Sequence, residues 1–104
     1  AQSAQPAQVI EIVCRFYEIR REDLLNRRRN REVVLPRQMA MYLLREETGL
    51  SLAQIGSELG GRDHTTVLHA CEKIAGQIEE DEQMRRALLA IREALYHGKP
   101  VPTN

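Results

Sequence analysis

Hydrogen-bonding side chains crowd the segment that follows two adjacent glycines near the middle of the chain. Gly60 and Gly61 can adopt positive φ angles, which end one helix and redirect the backbone sharply. Asp63 then suits the N-cap of a second helix, and its carboxylate can also accept from a cytosine amino group. His64 and Thr65 follow, where an imidazole and a threonine methyl can contact base edges. This arrangement is typical of a helix that reads DNA.

The helix that carries these side chains has a buried stripe. Apolar residues recur at offsets of three and four, which predicts one face packed against a core. They are Val67, Ala70, Cys71, Ile74 and Ile78. His64, Thr65 and His69 are therefore expected to point outward, and Thr66 and His69 are suited to phosphate contacts.

A shorter helix is predicted just upstream. Ser51 and Gln54 have the spacing of a capping box, in which each side chain accepts from the amide of the other residue. Gly56 inside this helix is less favourable than Ala by roughly 1 kcal/mol, which predicts a compensating close approach to another helix. Two helices joined by a short glycine turn, with a polar start to the second, indicate a helix-turn-helix.

The remaining segments are also helical in pattern. An amphipathic helix is predicted around residues 9–16, a helical turn at 23–25, and a final helix around 84–95. Residues 26–32 are predicted as an arginine-rich loop, and Pro36 suits the first turn of the following helix. The fold class predicted is all-α, a compact domain of about five or six helices.

Composition supports one helical domain. Hydrophobic residues make up 42% of the 104 residues and aromatic residues only 4%, so the core must be mainly aliphatic. Residues 1–7 are predicted to be a linker or cloning remnant, residues 8–97 the DNA-binding domain, and residues 98–104 a flexible tail.

The formal net charge of zero seems at first to argue against a nucleic-acid partner. The charges are unevenly distributed, however, because arginines dominate the first third and residues 79–82 are all acidic. Taken alone, the arginines of residues 26–32 are as consistent with a solvated charge cluster as with a DNA contact. His64, His69 and Cys71 cannot converge on one point of a helix, so we predict no metal site.

Two long segments resemble a known family. Residues 36–56, PRQMAMYLLREETGLSLAQIG, and residues 60–74, GGRDHTTVLHACEKI, resemble the C-terminal DNA-binding domain of the DnaA family of bacterial chromosomal replication initiators. The resemblance extends over about residues 9–95. It implies a helix-turn-helix that binds the DnaA box, a short asymmetric TTAT-x-CACA element of replication origins, with one monomer per box.

The resemblance also implies individual roles. It places Asp63, His64, Thr65 and Ala53 against bases in the major groove. The phosphate contacts that it implies come from Arg37, Gln38, Thr66, His69 and Lys73. Arg29 aligns with an arginine that enters the adjacent minor groove, where a narrow A·T-rich groove has enhanced negative potential; its neighbours Arg27, Arg28 and Arg31 can partly substitute.

The chain departs from the family pattern at three positions. Leu35 and Glu72 stand where many members have a basic residue, which weakens the charge that faces phosphates. Ala53 stands where proline is frequent, which can alter a base contact. Affinity and base preference are therefore expected to differ somewhat from the family norm.

Enzymatic activity is not expected of this chain. Initiators of the family hydrolyse ATP in a separate module that needs a glycine-rich phosphate loop ending in Gly-Lys-Ser or Gly-Lys-Thr. The single Gly-Lys pair here is Gly98-Lys99, and Pro100 follows it. We therefore expect a fragment of a longer initiator that has no cofactor of its own, ATP being bound only by the parent protein.

Two other functions fit parts of the sequence. A helix-turn-helix transcription regulator would normally need a dimer surface and a palindromic site. A helical protein-interaction module would suit the zero net charge. There is no apolar run of membrane-spanning length and no signal-peptide pattern, so membrane insertion is not expected and we place the protein in the bacterial cytoplasm, at the nucleoid.

Overall fold

A computed structural model describes residues 4–102, which form six helices. No β-strand occurs in this range, so the all-α fold class is confirmed. No helix in residues 4–102 is both long and apolar enough to cross a bilayer. The helices are α1 Pro6–Tyr17, α2 Arg21–Leu25, α3 Arg31–Glu47, α4 Leu52–Glu58, α5 His64–Glu80 and α6 Glu82–His97.

Helix α3 is the centre of the packing. It contacts α1, α2, α4 and α5, while α6 closes the other side by packing on α1 and α5. The core is mainly aliphatic, as the composition predicts, because burying such side chains is the main favourable term in folding. Its largest fully buried members are Ile10, Leu24, Met39, Met41, Leu43, Leu44, Ile55, Leu59, Ile74 and Ile91.

Both ends of the domain differ from the predicted boundaries. Helix α1 begins at Pro6, and the buried Ala4 donates its amide to the carbonyl of Glu47 at 2.9 Å, so ordered packing starts before residue 8. Helix α6 ends at His97, with Gly98 at a φ of 63°, and Val101 beyond it still packs partly on the core. The other residues of the predicted linker and tail, 1–3 and 103–104, lie outside the described range.

Helix α3 starts earlier than predicted. Asn30 is its N-cap, so Arg31 and Glu32 belong to the helix instead of the preceding loop. Pro36 lies inside the helix and not in its first turn. Proline lacks an N–H, so the helix loses the bond that position 36 would make to the Glu32 carbonyl, yet it continues through. The arginine-rich loop therefore leads directly into one long central helix, and α5 packs on the same helix.

Candidate nucleic-acid interface

The turn between α4 and α5 is built on glycine. Gly60 and Gly61 have φ angles of 84° and 79°, as predicted. The Gly56 carbonyl accepts from the amides of both Gly61 and Arg62 at 2.9 Å. A Cβ added to Gly56 would lie 1.9 Å from the Arg62 carbonyl oxygen. The close approach predicted for Gly56 therefore exists: its tightest partner is the backbone of the turn, and Val67 Cγ2 of α5 would lie 3.6 Å from the added Cβ.

Side chains cap both helices of the unit as predicted. The Ser51 amide donates to Gln54 Oε1 at 2.8 Å, and the Gln54 amide donates to Ser51 Oγ at 3.1 Å. Asp63 is the N-cap of α5 and accepts from the Thr65 amide at 3.2 Å. Hydrogen bonding to Thr65, helped by the nearby His64, lowers the pKa of Asp63. The start of α5 is thus fixed by a carboxylate that stays ionised at neutral pH.

Helix α5 presents the predicted faces. Val67, Ala70, Cys71 and Ile74 are buried, whereas Ile78 is only partly so. The polar candidates on the opposite side are all exposed to solvent, and Ala53 is exposed at the start of α4. The exposed candidates on or capping α5 are Asp63, His64, Thr65, Thr66, His69 and Lys73.

The arginine loop, residues 26–30, connects α2 to α3, and its three arginines differ in their contacts with the rest of the protein. Arg27 donates to the Gly60 carbonyl at 3.0 Å, which ties the loop to the helix-turn-helix. Arg28 forms an ion pair with Asp23 at 3.5 Å. Arg29 is exposed and has no hydrogen bond or ion pair to any residue in the range 4–102. Of the three, Arg29 is therefore the side chain that is least engaged with the protein itself.

Arg37, which the resemblance implies as a phosphate contact, is only 6% exposed, and its guanidinium binds the backbone of α2 and of the arginine loop. The phosphate contact stays a prediction. Nε donates to the Leu24 carbonyl at 2.9 Å, Nη1 to that of Arg28 at 2.9 Å and Nη2 to that of Asp23 at 2.7 Å. Burial, followed by the charge of Arg27, lowers the pKa of Arg37. These carbonyls, together with Asn26 Oδ1 at 3.4 Å from Nη2, bind nearly all of its N–H donors, so its first role is structural.

The sequence reasoning missed Arg62. This half-buried side chain donates from Nη1 to the carbonyls of Leu24 at 3.3 Å and of Leu59, and from Nη2 to that of Asn26. Burial, with the positive charges of Arg37 and Arg27, lowers its pKa to about 10. The sequence contains one indication of this role. Arg62 lies between the turn glycines and an N-cap, and helix ends leave carbonyls that a long donor can reach.

Three adjoining surface cavities form what we call the basic groove. They measure about 380, 310 and 240 Å³, and neighbouring cavities share lining residues such as Thr66, Gln38 and Lys73. One acidic side chain, Asp63, lines the groove against seven basic ones. The basic residues are Arg27, Arg28, Arg29, Arg31, Arg37, Arg62 and Lys73. The zero net charge thus conceals a strongly positive surface.

The groove brings most of the predicted site together. It joins the arginine loop to Gln38, Thr66, His69 and Lys73. His64, Thr65 and Ala53 do not line it, and they are exposed at the first residues of α5 and α4. Within residues 4–102 there is no cluster of three potential metal ligands. The surface therefore combines a polar helix start with a cationic groove, which is the combination that nucleic-acid backbones and base edges require.

Comparison with known proteins identifies relatives of this domain. The family model described as "Bacterial dnaA protein helix-turn-helix" matches residues 6–74. The chromosomal replication initiator protein DnaA of Thermomicrobium roseum is 52% identical over 97 residues, which are 93% of this chain and 21% of the relative. That of Chloroflexus aurantiacus is 55% identical over 87 residues, 84% of this chain and 18% of the relative.

A third initiator, from Roseiflexus castenholzii, is 50% identical over 93 residues, 89% of this chain and 19% of the relative. The chain thus spans about a fifth of the length of the curated relatives that it matches. The family-model match includes the arginine loop, α4, the turn after it and α5 as far as Ile74. This chain therefore belongs to the bacterial DnaA helix-turn-helix family.

Proposed function

We propose that this chain binds double-stranded DNA sequence-specifically, at DnaA boxes of a bacterial replication origin, as the DNA-binding module of an initiator. The observation that carries the proposal is the basic groove, which runs from the exposed arginine loop to the polar face of α5. A cationic groove beside an exposed helix start can hold the phosphate backbone while side chains reach the bases.

In this proposal α5 enters the major groove by its first turn. Asp63, His64 and Thr65 are exposed there, and no acidic residue occupies positions 64–66. Beyond its cap Asp63, the first turn of α5 therefore adds no negative charge that would repel a phosphate. Ala53, exposed at the start of α4, is the fourth candidate for a base contact.

Phosphates on either side would be held by residues that line the basic groove. Thr66 and Gln38 supply neutral hydrogen-bond donors, and Lys73 supplies a mobile positive charge. His69 lies on the same exposed face of α5. These contacts set orientation on the duplex, and they carry no sequence information themselves.

The minor groove would be entered by Arg29. Arg27 and Arg28 already have partners in the protein, Gly60 and Asp23, whereas Arg29 has none in the described part of the chain. Arg31 is exposed in the first turn of α3, where the helix restricts its reach. The free guanidinium of Arg29 is weakly hydrated, which favours insertion into a narrow A·T-rich groove.

We further propose that one monomer occupies one asymmetric box and that the protein acts at the nucleoid in the bacterial cytoplasm. No cofactor takes part in this binding. Hydrolysis of ATP and assembly of initiators would depend on the other four fifths of proteins such as the Thermomicrobium roseum initiator.

A duplex titration tests the proposal. The domain is titrated with an asymmetric TTAT-x-CACA duplex and with a scrambled duplex at several salt concentrations. We expect about a thousandfold preference for the box, and a log affinity that falls linearly with log salt by about 0.9 per phosphate contacted. Equal affinity for both duplexes would contradict sequence-specific reading.

The same titration separates the rival functions. A helical protein-interaction module would show neither preference nor salt dependence, because only a phosphate binder releases counterions. A dimeric transcription regulator would prefer a palindrome and would sediment as two chains per duplex. We expect one chain per asymmetric box.

A further inference from the structure

Two arginines from different elements hold the backbone at the end of α2 and in the arginine loop. Arg37 reaches it from the central helix α3, and Arg62 reaches it from the turn between α4 and α5. Between them they bind nearly every carbonyl oxygen from the end of α2 to the middle of the loop. These carbonyls belong to Asp23, Leu24, Leu25, Asn26 and Arg28.

Arg62 also belongs to the helix-turn-helix itself. Its Nη1 donates to the Leu59 carbonyl at the end of α4, and the next residue, Asp63, is the N-cap of α5. One guanidinium thus connects the end of α4 with the arginine loop, immediately before α5 begins. In the sequence, the loop and Arg62 are more than thirty residues apart.

Other contacts tighten the same junction. A Cβ added to Gly60 would lie 2.2 Å from the Leu25 carbonyl oxygen, so the turn packs directly on the end of α2. Arg27 donates to the Gly60 carbonyl at 3.0 Å. The loop therefore rests on the turn through packing and through two independent hydrogen-bonding side chains, of which Arg62 makes more bonds.

We propose that Arg62 is a positioning residue for DNA recognition, which holds the arginine loop at a fixed distance from α5 so that both engage one duplex in register. The inference rests on the proposed function. Two elements that read neighbouring grooves gain from each other only if their separation matches the duplex. A loop that is already held in place also avoids the ordering cost that a mobile loop would pay on binding.

The role requires an arginine. The planar guanidinium presents five donors in a fixed fork, which suits carbonyls that arrive from α2, the loop and α4. A lysine at position 62 would keep the positive charge of the groove but would offer a compact ammonium with three donors. Arg62→Lys therefore separates the positioning of the loop from the electrostatic attraction of DNA.

The experiment begins with Arg62→Lys in the isolated domain. Its amide hydrogen exchange is expected to rise in the arginine loop while α5 keeps wild-type protection. On a box duplex with an A·T-rich end, we expect affinity to fall about tenfold, the size of a lost groove contact. On a box whose A·T-rich end is replaced by G·C pairs, the loss should be much smaller.

Arg85→Lys is the matched control. Arg85 also donates to two carbonyls at a helix junction, those of Ile78 at 2.9 Å and Glu79 at 3.0 Å, but it lies in the first turn of α6 and joins that helix to the end of α5. It does not line the basic groove. We expect its affinity for both duplexes to equal that of the wild type. If Arg85→Lys lost as much affinity as Arg62→Lys does, the inference would be overturned.

A double-mutant cycle supplies the decisive readout. If Arg62 acts through the loop, Arg62→Lys should weaken binding by less than about twofold once Arg29→Ala has removed the minor-groove side chain. If the affinity losses of the two single variants instead multiply in the double variant, the inference is overturned. If Arg62→Lys does not fold, Arg62→Gln, which keeps a hydrogen-bond donor at this position, takes its place in the cycle, with the same two outcomes.

The two proposals fail in different ways. A wild-type domain that does not prefer the box over a scrambled duplex overturns the proposed function, and the inference falls with it. A wild-type preference that is insensitive to Arg29→Ala, or a loss for Arg62→Lys that is equal on both boxes, overturns the inference alone.

Discussion

Two junctions between consecutive helices, α4–α5 and α5–α6, contain the same capping interactions in different surroundings. Asp63 caps α5 by accepting from the Thr65 amide at 3.2 Å, and Asp81 caps α6 by accepting from the Gln83 amide at 2.8 Å. An arginine at each junction also donates to carbonyls at the end of the preceding helix, Arg62 in one and Arg85 in the other. The side-chain interactions that cap the start and the end of a helix therefore do not by themselves create a binding surface.

What differs is the surroundings of each helix start. The first turn of α5 has no acidic side chain, whereas the first turn of α6 contains Glu82, which pairs with Arg86. The α4–α5 turn has two glycines of positive φ and borders the basic groove, while Asp81 alone separates α5 from α6. A helix start with no acidic side chain beyond its cap Asp63, beside a rigid cationic turn, distinguishes the candidate interface.

Rigidity is the first difference to test. Gly56→Ala should destabilise the domain by about 1–3 kcal/mol or more, because its Cβ would meet a backbone carbonyl oxygen at 1.9 Å. Gly76→Ala, inside α5 with no atom within 4 Å of the added Cβ, should stabilise it by about 0.5–1 kcal/mol. Urea unfolding followed by circular dichroism measures both. Equal free energies of unfolding for the two variants would show that the α4–α5 turn is not tightly packed.

The second prediction compares equivalent positions of the two helix starts. Thr65 and Gln83 are each two residues after the capping aspartate. Thr65→Ala should reduce the preference for a box over a scrambled duplex by about 1–3 kcal/mol, the value of a good base contact. Gln83→Ala should leave that preference unchanged. Competition binding at fixed salt gives both ratios, and an unchanged ratio for Thr65→Ala would remove it from the readers.

The smallest expected effect concerns the cap of α5 in acid. The folded-state pKa of Asp63 is lowered below its ordinary value of 3.8, so its charge stabilises the fold above that pH. The stabilisation disappears as the pH falls through the lowered pKa. Asp63→Asn keeps a cap that cannot titrate, so the Tm difference between wild type and variant should shrink below pH 3.8. A Tm difference that is constant from neutral pH to strong acid would contradict this linkage.

The sequence was sufficient wherever a local pattern determines structure. The capping box of Ser51 and Gln54, the cap at Asp63 and the positive φ of Gly60 depend on neighbours within a few residues. The helical stripe of α5 likewise follows from its apolar spacing. These features place the polar start of α5 without any knowledge of the rest of the fold.

Long-range contacts could not be predicted in this way. Apart from the bond of Arg62 to Leu59, Arg37 and Arg62 bind carbonyls 9 to 38 residues away, so their burial depends on how α2, α3 and the turn pack together. The start of α3 was misplaced because Pro36 is a common first-turn residue, and here the helix tolerates it internally. Family resemblance named Arg37 as part of the site, and the structure shows that it acts on the loop.

The opposite charges near the two ends of α5 give this neutral protein an electric dipole. The basic groove begins at the first turn of that helix, while the acidic residues 79–82 begin in its last turn, and Glu80 lies about 24 Å from His64 at 1.5 Å per residue. In the field of a duplex, such a molecule experiences a torque that turns its basic side inward before contact. Encounters are therefore oriented, and added salt should slow capture more than it hastens release, since the Debye length is only about 8 Å in physiological salt.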